Sequence, residues 1–353
     1  MHAYSCTALY SAWMPTRVAI VGATGYAGGE LARILLRHSG VRLVAAVARG
    51  KQGTPLRDAQ PHLHAAPDSL TISGDVRDAE LIFTALPAGE AAKLAPAWLA
   101  EGRRLIDIGS DFRLKDVGAY EAWYGYTHPV PELLGEAVYG MTEFERARLR
   151  GARLVANPGC YPTASLLALA PAVAHALIDG DVIVDAKSGV SGAGHSVDEA
   201  YLYGTIDESV RAYGVPRHRH TPEIAQGLGA LGMGSPRLTF TPHLVPMTRG
   251  LIATCYASLR DGVTAERVAD AYASHYADEP FVRVTASFPP TKATLGSNWC
   301  LVHATVDEAT RRLVVVGVID NLVKGAAGSA VQNMNVVLGL PETTGLEALP
   351  LWP

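Results

Sequence analysis

The segment Asn157-Pro-Gly-Cys-Tyr-Pro-Thr163 sets Cys160 immediately before an expected helix, because Pro162 suits a first helical turn and Ser165, Leu166, Leu167 and Leu169 continue the pattern. Unpaired backbone N–H groups and the positive dipole end at such a start stabilise a thiolate. The thiol pKa is therefore expected to fall below its usual ~8.5, making Cys160 a nucleophile. The alternative is a cysteine that only fills space, which is how Cys255 in Thr-Cys-Tyr-Ala and Cys300 in Trp-Cys-Leu-Val are read, both within strand-like apolar runs. Cys160 differs because Pro158, Gly159 and Pro162 build a fixed turn around it, as in a nucleophile mount.

A thiolate needs a proton-transfer partner, and Arg217-His-Arg-His-Thr-Pro-Glu223 supplies His218 and His220. If that segment is extended, the two rings face opposite ways and only one reaches the thiol. No third ligand follows at helical or zinc-finger spacing, so no metal is expected. Lys187-Ser-Gly-Val-Ser-Gly-Ala-Gly194 follows a strand and is expected to bring backbone N–H groups, those around Ser188 and Gly189, against a nicotinamide or a phosphate. Asp107-Ile-Gly-Ser-Asp-Phe-Arg113 ends another strand, where ligands gather in open α/β sheets. There Arg113 either grips an anionic substrate bidentately or closes a salt bridge to Asp111 or elsewhere.

These groups need positioning elements. Arg17 to Val21 is a short apolar run leading into Gly22-Ala-Thr-Gly-Tyr-Ala-Gly28, followed by Leu31, Ile34 and Leu35 at helical spacing: strand, glycine turn, helix. Glycines there allow a tight turn and close phosphate approach at a helix N-terminus. The next strand, Val41 to Val47, is followed by Ala48-Arg49 rather than the Asp or Glu of an NAD site, so Arg49 is matched to a 2′-phosphate and NADP is preferred over NAD. Further strands are expected at 81–86 and 104–108, with a helix at 90–100 between them.

After Leu154 come a helix at 162–176 and strands at 182–186, 238–241, 251–258, 300–306 and 313–319, several alternating apolar with polar. Residues 321–338 read as a helix packing back on the first domain. The expected fold class is α/β, an N-terminal doubly wound Rossmann parallel sheet with a second α+β domain of mixed or antiparallel sheet. Its divisions are a loose tail at 1–13, a cofactor domain at 14–159, a catalytic and oligomerisation domain at 160–320, and a returning C-terminal helix at 321–353.

Composition agrees with this division. A chain of 353 residues exceeds one ordinary core, and 48% hydrophobic and 18% charged residues with a net charge of -4 describe a soluble protein with no basic excess for nucleic acid. No run reaches the ~18 apolar residues of a membrane span. Four cysteines without C-x-x-C spacing fit a reducing cytoplasm. The first thirteen residues lack Lys and Arg and fit a secretory signal poorly, and Met14 is a candidate true start.

Taken with Gly29-Glu-Leu31, Ser110-Asp-Phe-Arg-Leu114, Ser188 to Gly194, His218-Arg-His-Thr-Pro-Glu-Ile224 and Asp320-Asn-Leu-Val-Lys-Gly325, these motifs make the chain resemble the N-acetyl-gamma-glutamyl-phosphate reductases of arginine biosynthesis, within the wider aspartate-semialdehyde dehydrogenase-like group. The resemblance runs from about Thr16 to Pro350. It implies Cys160 as nucleophile and His218 as the acid–base residue, with His220 in reserve. It also implies a cofactor site of Gly22, Thr24, Gly25, Tyr26, Ala27, Arg49, Ser188, Gly189 and Asn321, with Arg113 and Asn157 at the substrate. The family's Leu-Pro-His-Gly is here Leu86-Pro-Ala-Gly89, and the serine often preceding Arg49 is Ala48. A related group acting on carrier-bound substrates has Gly-x-Gly-Cys-Asn where this chain has Asn-Pro-Gly-Cys-Tyr.

The implied reaction is attack of Cys160 on an acyl phosphate, loss of phosphate to a thioester, hydride delivery from NADPH and collapse to the semialdehyde. The expected partner is this small-molecule acyl phosphate, with a homo-oligomer implied by the family. The rival readings change the acyl group to aspartyl or carrier-bound aminoadipyl or glutamyl phosphate, or make the chain a non-catalytic NADP-sensing regulator.

Overall fold

The computed structural model describes residues 14–195 and 198–353, so the expected tail at 1–13 lies outside the described residues. The apolar runs of the first half become β1 (Thr16–Val21), β2 (Val41–Val47), β3 (Ile72–Ser73), β4 (Leu81–Thr84), β5 (Arg104–Asp107), β6 (Val138–Tyr139) and β7 (Leu154–Ala156). They form one sheet in the order β3-β2-β1-β4-β5-β7-β6, with every pair parallel. β4 is buried throughout, as a strand covered on both faces requires. The chain winds from β1 outward through β2 and β3, then from β4 the other way. The strand order therefore reverses between β1 and β4 and leaves a crevice at their carboxyl ends.

Helix α1 (Tyr26–Leu35) follows β1, and α2 (Glu90–Ala100) joins β4 to β5. Against the second sheet packs α3 (Cys160–Ala174), starting two residues earlier than its sequence pattern suggests. Gly159 is its N-cap, so Cys160 is the first residue of the helix rather than the residue before it. Nearly all of α3 is buried, and Leu166, Leu167 and Leu169 join the core beneath the second sheet.

That sheet comprises β8 (Ile178–Gly189), β9 (Arg211–Ala212), β10 (Arg237–Val245), β11 (Leu251–Leu259), β12 (Val282–Val284), β13 (Cys300–Asp307) and β14 (Arg312–Ile319). Its order is β12-β13-β14-β11-β8-β10-β9, with β8/β10 and β12/β13 parallel and the rest antiparallel. The strand expected at 182–186 is the middle of a longer one. β8 runs on through Ser188 and Gly189 because β10 pairs Val245 with Gly189 while β11 pairs Leu251 with Ser188. The glycine-rich segment thus begins as sheet and turns only at Val190. Helices α4 (His220–Leu228) and α5 (Ala265–His275) complete this half.

The stretch expected as one helix at 321–338 divides. Asp320 Oδ1 accepts the N–H groups of Leu322 and Val323, and the next backbone bonds span five residues, Gly325 N–H to Asp320 O and Ala327 N–H to Leu322 O, before α6 (Gly328–Leu338) continues. Val323, Ala327, Ala330, Val331 and Met334 pack with Val18, Ile20 and Leu31 of the first half. A second tie is ionic: Arg249, in the β10–β11 turn, bonds Glu30 of α1 at 2.8 Å.

Candidate active site

Cys160 lines a cavity of about 550 Å³ between the carboxyl ends of the first sheet and the second sheet. Its turn is fixed from beneath. Glu223 of α4, fully buried, accepts the Gly159 N–H at 2.8 Å and the Tyr139 hydroxyl at 2.9 Å. Gly159 has to be glycine: a Cβ there would lie 2.5 Å from His220 Nε2 and 2.7 Å from Arg113 Nη1.

Both histidines line this cavity with Cys160. The extended geometry that would have split them does not form. Arg219 has helical angles (φ -57, ψ -24) and α4 begins at His220, so the rings stand 5.0 Å apart, both edge-on to Tyr161. His220 N–H donates to His218 Nδ1 at 3.1 Å, which leaves the proton of the neutral ring on His218 Nε2. His220 Nε2 lies 3.4 Å from Arg113 Nη1, while its Nδ1 is buried without a partner.

The electrostatics correct the sequence-based expectation for the thiol. Burial pushes the Cys160 pKa up to about 11, and the Arg113 charge offsets this only in part. The helix start is outweighed by the loss of solvent around the sulfur. Burial also pushes His218 down to about 4, reinforced by Arg219, and His220 well below its ordinary value. At neutral pH the site therefore holds a thiol beside two neutral imidazoles.

Arg113 does not pair with Asp111. Its Nε donates to Asn157 O at 2.9 Å, Nη2 to Ile108 O at 2.8 Å and Nη1 to Glu223 at 3.3 Å, while Asp111 accepts the Gly89 and Ala92 N–H groups. Asn157 is not brought to the substrate cavity. It is fully buried, donating to Ala326 O at 3.1 Å and accepting from Asn333 at 2.9 Å, and so ties the cysteine turn to the C-terminal segment.

The cofactor residues divide likewise. Ser188 and Gly189 line the cavity with Cys160. Asn321 stands behind them, bonding Ser191 Oγ at 2.9 Å and the Gly250 N–H at 2.8 Å, and shapes the loop instead of facing the cavity. In the glycine turn, Gly22 has φ +97 and a Cβ on it would lie 2.3 Å from Ala85 O; one on Gly28 would lie 2.2 Å from Gly22 O. Ala85 leads directly into Leu86, Pro87 and Ala88 of the cavity wall, so the segment that Gly22 packs against continues into that wall. Gly25 caps α1 without any side-chain bond and its own N–H donates to Gly22 O at 3.1 Å, so the N–H groups at the helix start, those of Tyr26 and Ala27, beside that of Thr24, are of the kind a dinucleotide phosphate takes. Tyr26 meets His195 edge-on, ring centroids 4.0 Å apart, which closes the second-domain loop onto the turn. Arg49 is exposed and ion-paired to Glu90.

Two residues went unmarked in the sequence. Gln60 Nε2 bonds Ala23 O at 3.0 Å and Gly25 O at 3.1 Å, pinning the turn. Nothing local signals it. Glu223 had a usable signal, because it follows His220 by three residues and so shares its helix face. Among the described residues no group of His, Cys, Asp and Glu is arranged to hold a metal.

A family model described as the semialdehyde dehydrogenase NAD binding domain matches residues 17–152, and one described as the semialdehyde dehydrogenase dimerisation domain matches residues 160–321. The fold is also similar to aspartate semialdehyde dehydrogenase II from Vibrio cholerae, with a TM-score of 0.70 and 19% identity over 92% of this chain and 99% of that one. Fold and site together define an oxidoreductase of the semialdehyde dehydrogenase type with a nicotinamide-nucleotide domain. Among curated relatives, the N-acetyl-gamma-glutamyl-phosphate reductase of Dehalococcoides mccartyi is 50% identical over 96% of this chain and 99% of its own, and that of Symbiobacterium thermophilum is 49% identical over 96% and 100%. The chain belongs to the N-acetyl-gamma-glutamyl-phosphate reductase family.

Proposed function

We propose that the protein reduces N-acetyl-glutamyl 5-phosphate to N-acetyl-glutamate 5-semialdehyde with release of phosphate, through a thioester on Cys160. The carrying observation is the grouping of Cys160, His218, His220 and Arg113 in one cavity that Ser188 and Gly189 also line. Cys160 Sγ attacks the acyl carbon and its proton passes to a neutral imidazole; the acyl C–O bond breaks and phosphate leaves. Because the free thiol sits at about 11, that base is needed at the moment of attack. Backbone N–H groups at the start of α3 steady the oxyanion.

A nicotinamide dinucleotide held by Gly22, Thr24, Gly25, Tyr26 and Ala27 at one end and Ser188 and Gly189 at the other supplies the hydride when bound. The thiohemiacetal left on Cys160 then collapses: its hydroxyl proton passes to an imidazole, the C–S bond breaks to release the semialdehyde, and that proton goes on to the Cys160 thiolate. His218, whose Nε2 carries the proton, is matched to donate to the developing alkoxide, while His220, whose Nε2 faces Arg113, flanks it in the same cavity. The sequence after β2 carries Arg49 and no Asp or Glu, which supports NADP as the dinucleotide if its 2′-phosphate takes the place of Glu90 on Arg49.

On the open face of the second sheet Thr239, Ile183, Tyr256, Val314 and Thr305 stand in one cross-strand row, an uncharged strip suited to pairing with a second copy. A cytoplasmic location accords with the free Cys160, Cys255 and Cys300. Assay in the reverse direction, with phosphate, NADP and N-acetyl-glutamate, aspartate or aminoadipate semialdehyde in turn, tests the acyl group. Cys160→Ser should keep dinucleotide affinity and lose turnover; substantial turnover would sink the covalent route.

A further inference from the structure

Among the described residues three arginines line the cavity, and no Asp or Glu does. Arg113 has its Nε, Nη1 and Nη2 engaged with Asn157 O, Glu223 and Ile108 O. Arg211 donates to Ala200 O at 3.2 Å. Arg219 makes no hydrogen bond or ion pair among the described residues; its guanidinium lies 5.7 Å from the centroid of the Tyr124 ring. Tyr124 shares the cavity wall, and its buried hydroxyl makes no well-formed hydrogen bond, with the Ser110 side chain of the same wall as a polar neighbour. A buried phenol so weakly satisfied is costly, and a guanidinium stacked on an aromatic face keeps its donors free for an oxyanion.

We infer that Arg219, seated on Tyr124, grips an oxyanion of the substrate, with the Tyr124 hydroxyl as a second donor. The inference rests on the reaction proposed above, whose acyl phosphate carries two such groups, the phosphoryl group and the α-carboxylate. Arg113 then keeps the structural task its bonds describe, holding the loop at Ile108 and the cysteine turn. The cavity meets a polyanion with unopposed positive charge at its mouth.

The reverse reaction separates the two sources, because phosphate and semialdehyde enter as separate substrates. Arg219→Gln, a change at an exposed side chain, should raise one KM by ~10- to 100-fold with a much smaller change in kcat, the loss expected for a charged hydrogen bond. A rise confined to phosphate assigns Arg219 to the phosphoryl group, and a rise confined to the semialdehyde assigns it to the α-carboxylate. Tyr124→Phe should raise the same KM by less, and Arg219→Lys should recover part of the loss. If the wild type turns over N-acetyl-glutamate semialdehyde and Arg219→Gln leaves both KM values within about two-fold, the grip is overturned. A fall in kcat alone also overturns it, since that would mean Arg219 acts only through the charge it places near His218. If the wild type shows no such turnover, the reaction itself is misassigned and the grip falls with it.

Discussion

Glu223 Oε1 accepts the backbone N–H of Gly159 at 2.8 Å, so a carboxylate of α4 holds the residue that caps the helix beginning with Cys160. Its other oxygen faces Arg113. Glu223→Ala would leave a buried guanidinium and a buried N–H unpaired, and urea unfolding should show a loss of ~3–5 kcal/mol. Glu223→Gln keeps an amide oxygen for Gly159 and should lose about 1–3 kcal/mol. Wild-type stability in the alanine variant would mean that the turn is held by something else.

Burial has set the Cys160 thiol at about 11, so the anion is scarce at neutral pH. In the substrate-free protein, the rate of alkylation by iodoacetamide should keep climbing through pH 9 and above. A plateau reached near pH 7 would show the thiolate already formed. In a Cys6→Ser background the label reports Cys160, because Cys255 and Cys300 are fully buried.

His218 is depressed from 6.5 to about 4, so between those values the unfolded chain binds more protons than the folded one. Stability is therefore full above about 6.5 and is lost as the pH falls toward 4. The contribution of this ring is on the order of 3 kcal/mol. His220 acts in the same direction, so His218→Gln should make urea-unfolding free energies measured from pH 7 to pH 4 shallower without flattening them. An unchanged slope would remove His218 as a contributor.

Gly28 faces Gly22 O, where a Cβ would stand at 2.2 Å, whereas Gly50 has nothing within 4 Å of such an atom. Gly28→Ala should cost ~1–3 kcal/mol in thermal unfolding and weaken dinucleotide binding followed by fluorescence titration. Gly50→Ala should stay within ~0.5 kcal/mol. Equal behaviour of the two would mean that the turn relaxes without consequence.

Strand β2 and helix α2 match their sequence ranges because each is marked locally, β2 by an apolar β-branched run and α2 by an Ala-rich stretch bounded by glycines. The same local legibility covers Cys160, whose prolines and glycine announce a turn before a helix. Less legible was the bent C-terminal segment, because its wide turn depends on Asp320 accepting two N–H groups and its packing depends on β1 and α1. Arg113 carried two readings in the sequence, and the choice between them lay 110 residues away in Glu223.

By itself the sequence determined the alternation of strands and helices, the glycine turn, the cysteine at a helix start and the nearby pair of histidines, since each is written in neighbouring residues. Only the tertiary structure decided that both histidines share the cavity, that Asn157 and Asn321 brace it from behind, and that the thiol is held protonated. Those outcomes follow from burial and from partners distant in the chain, and a pKa depends on the solvent removed around a group as much as on the helix beneath it.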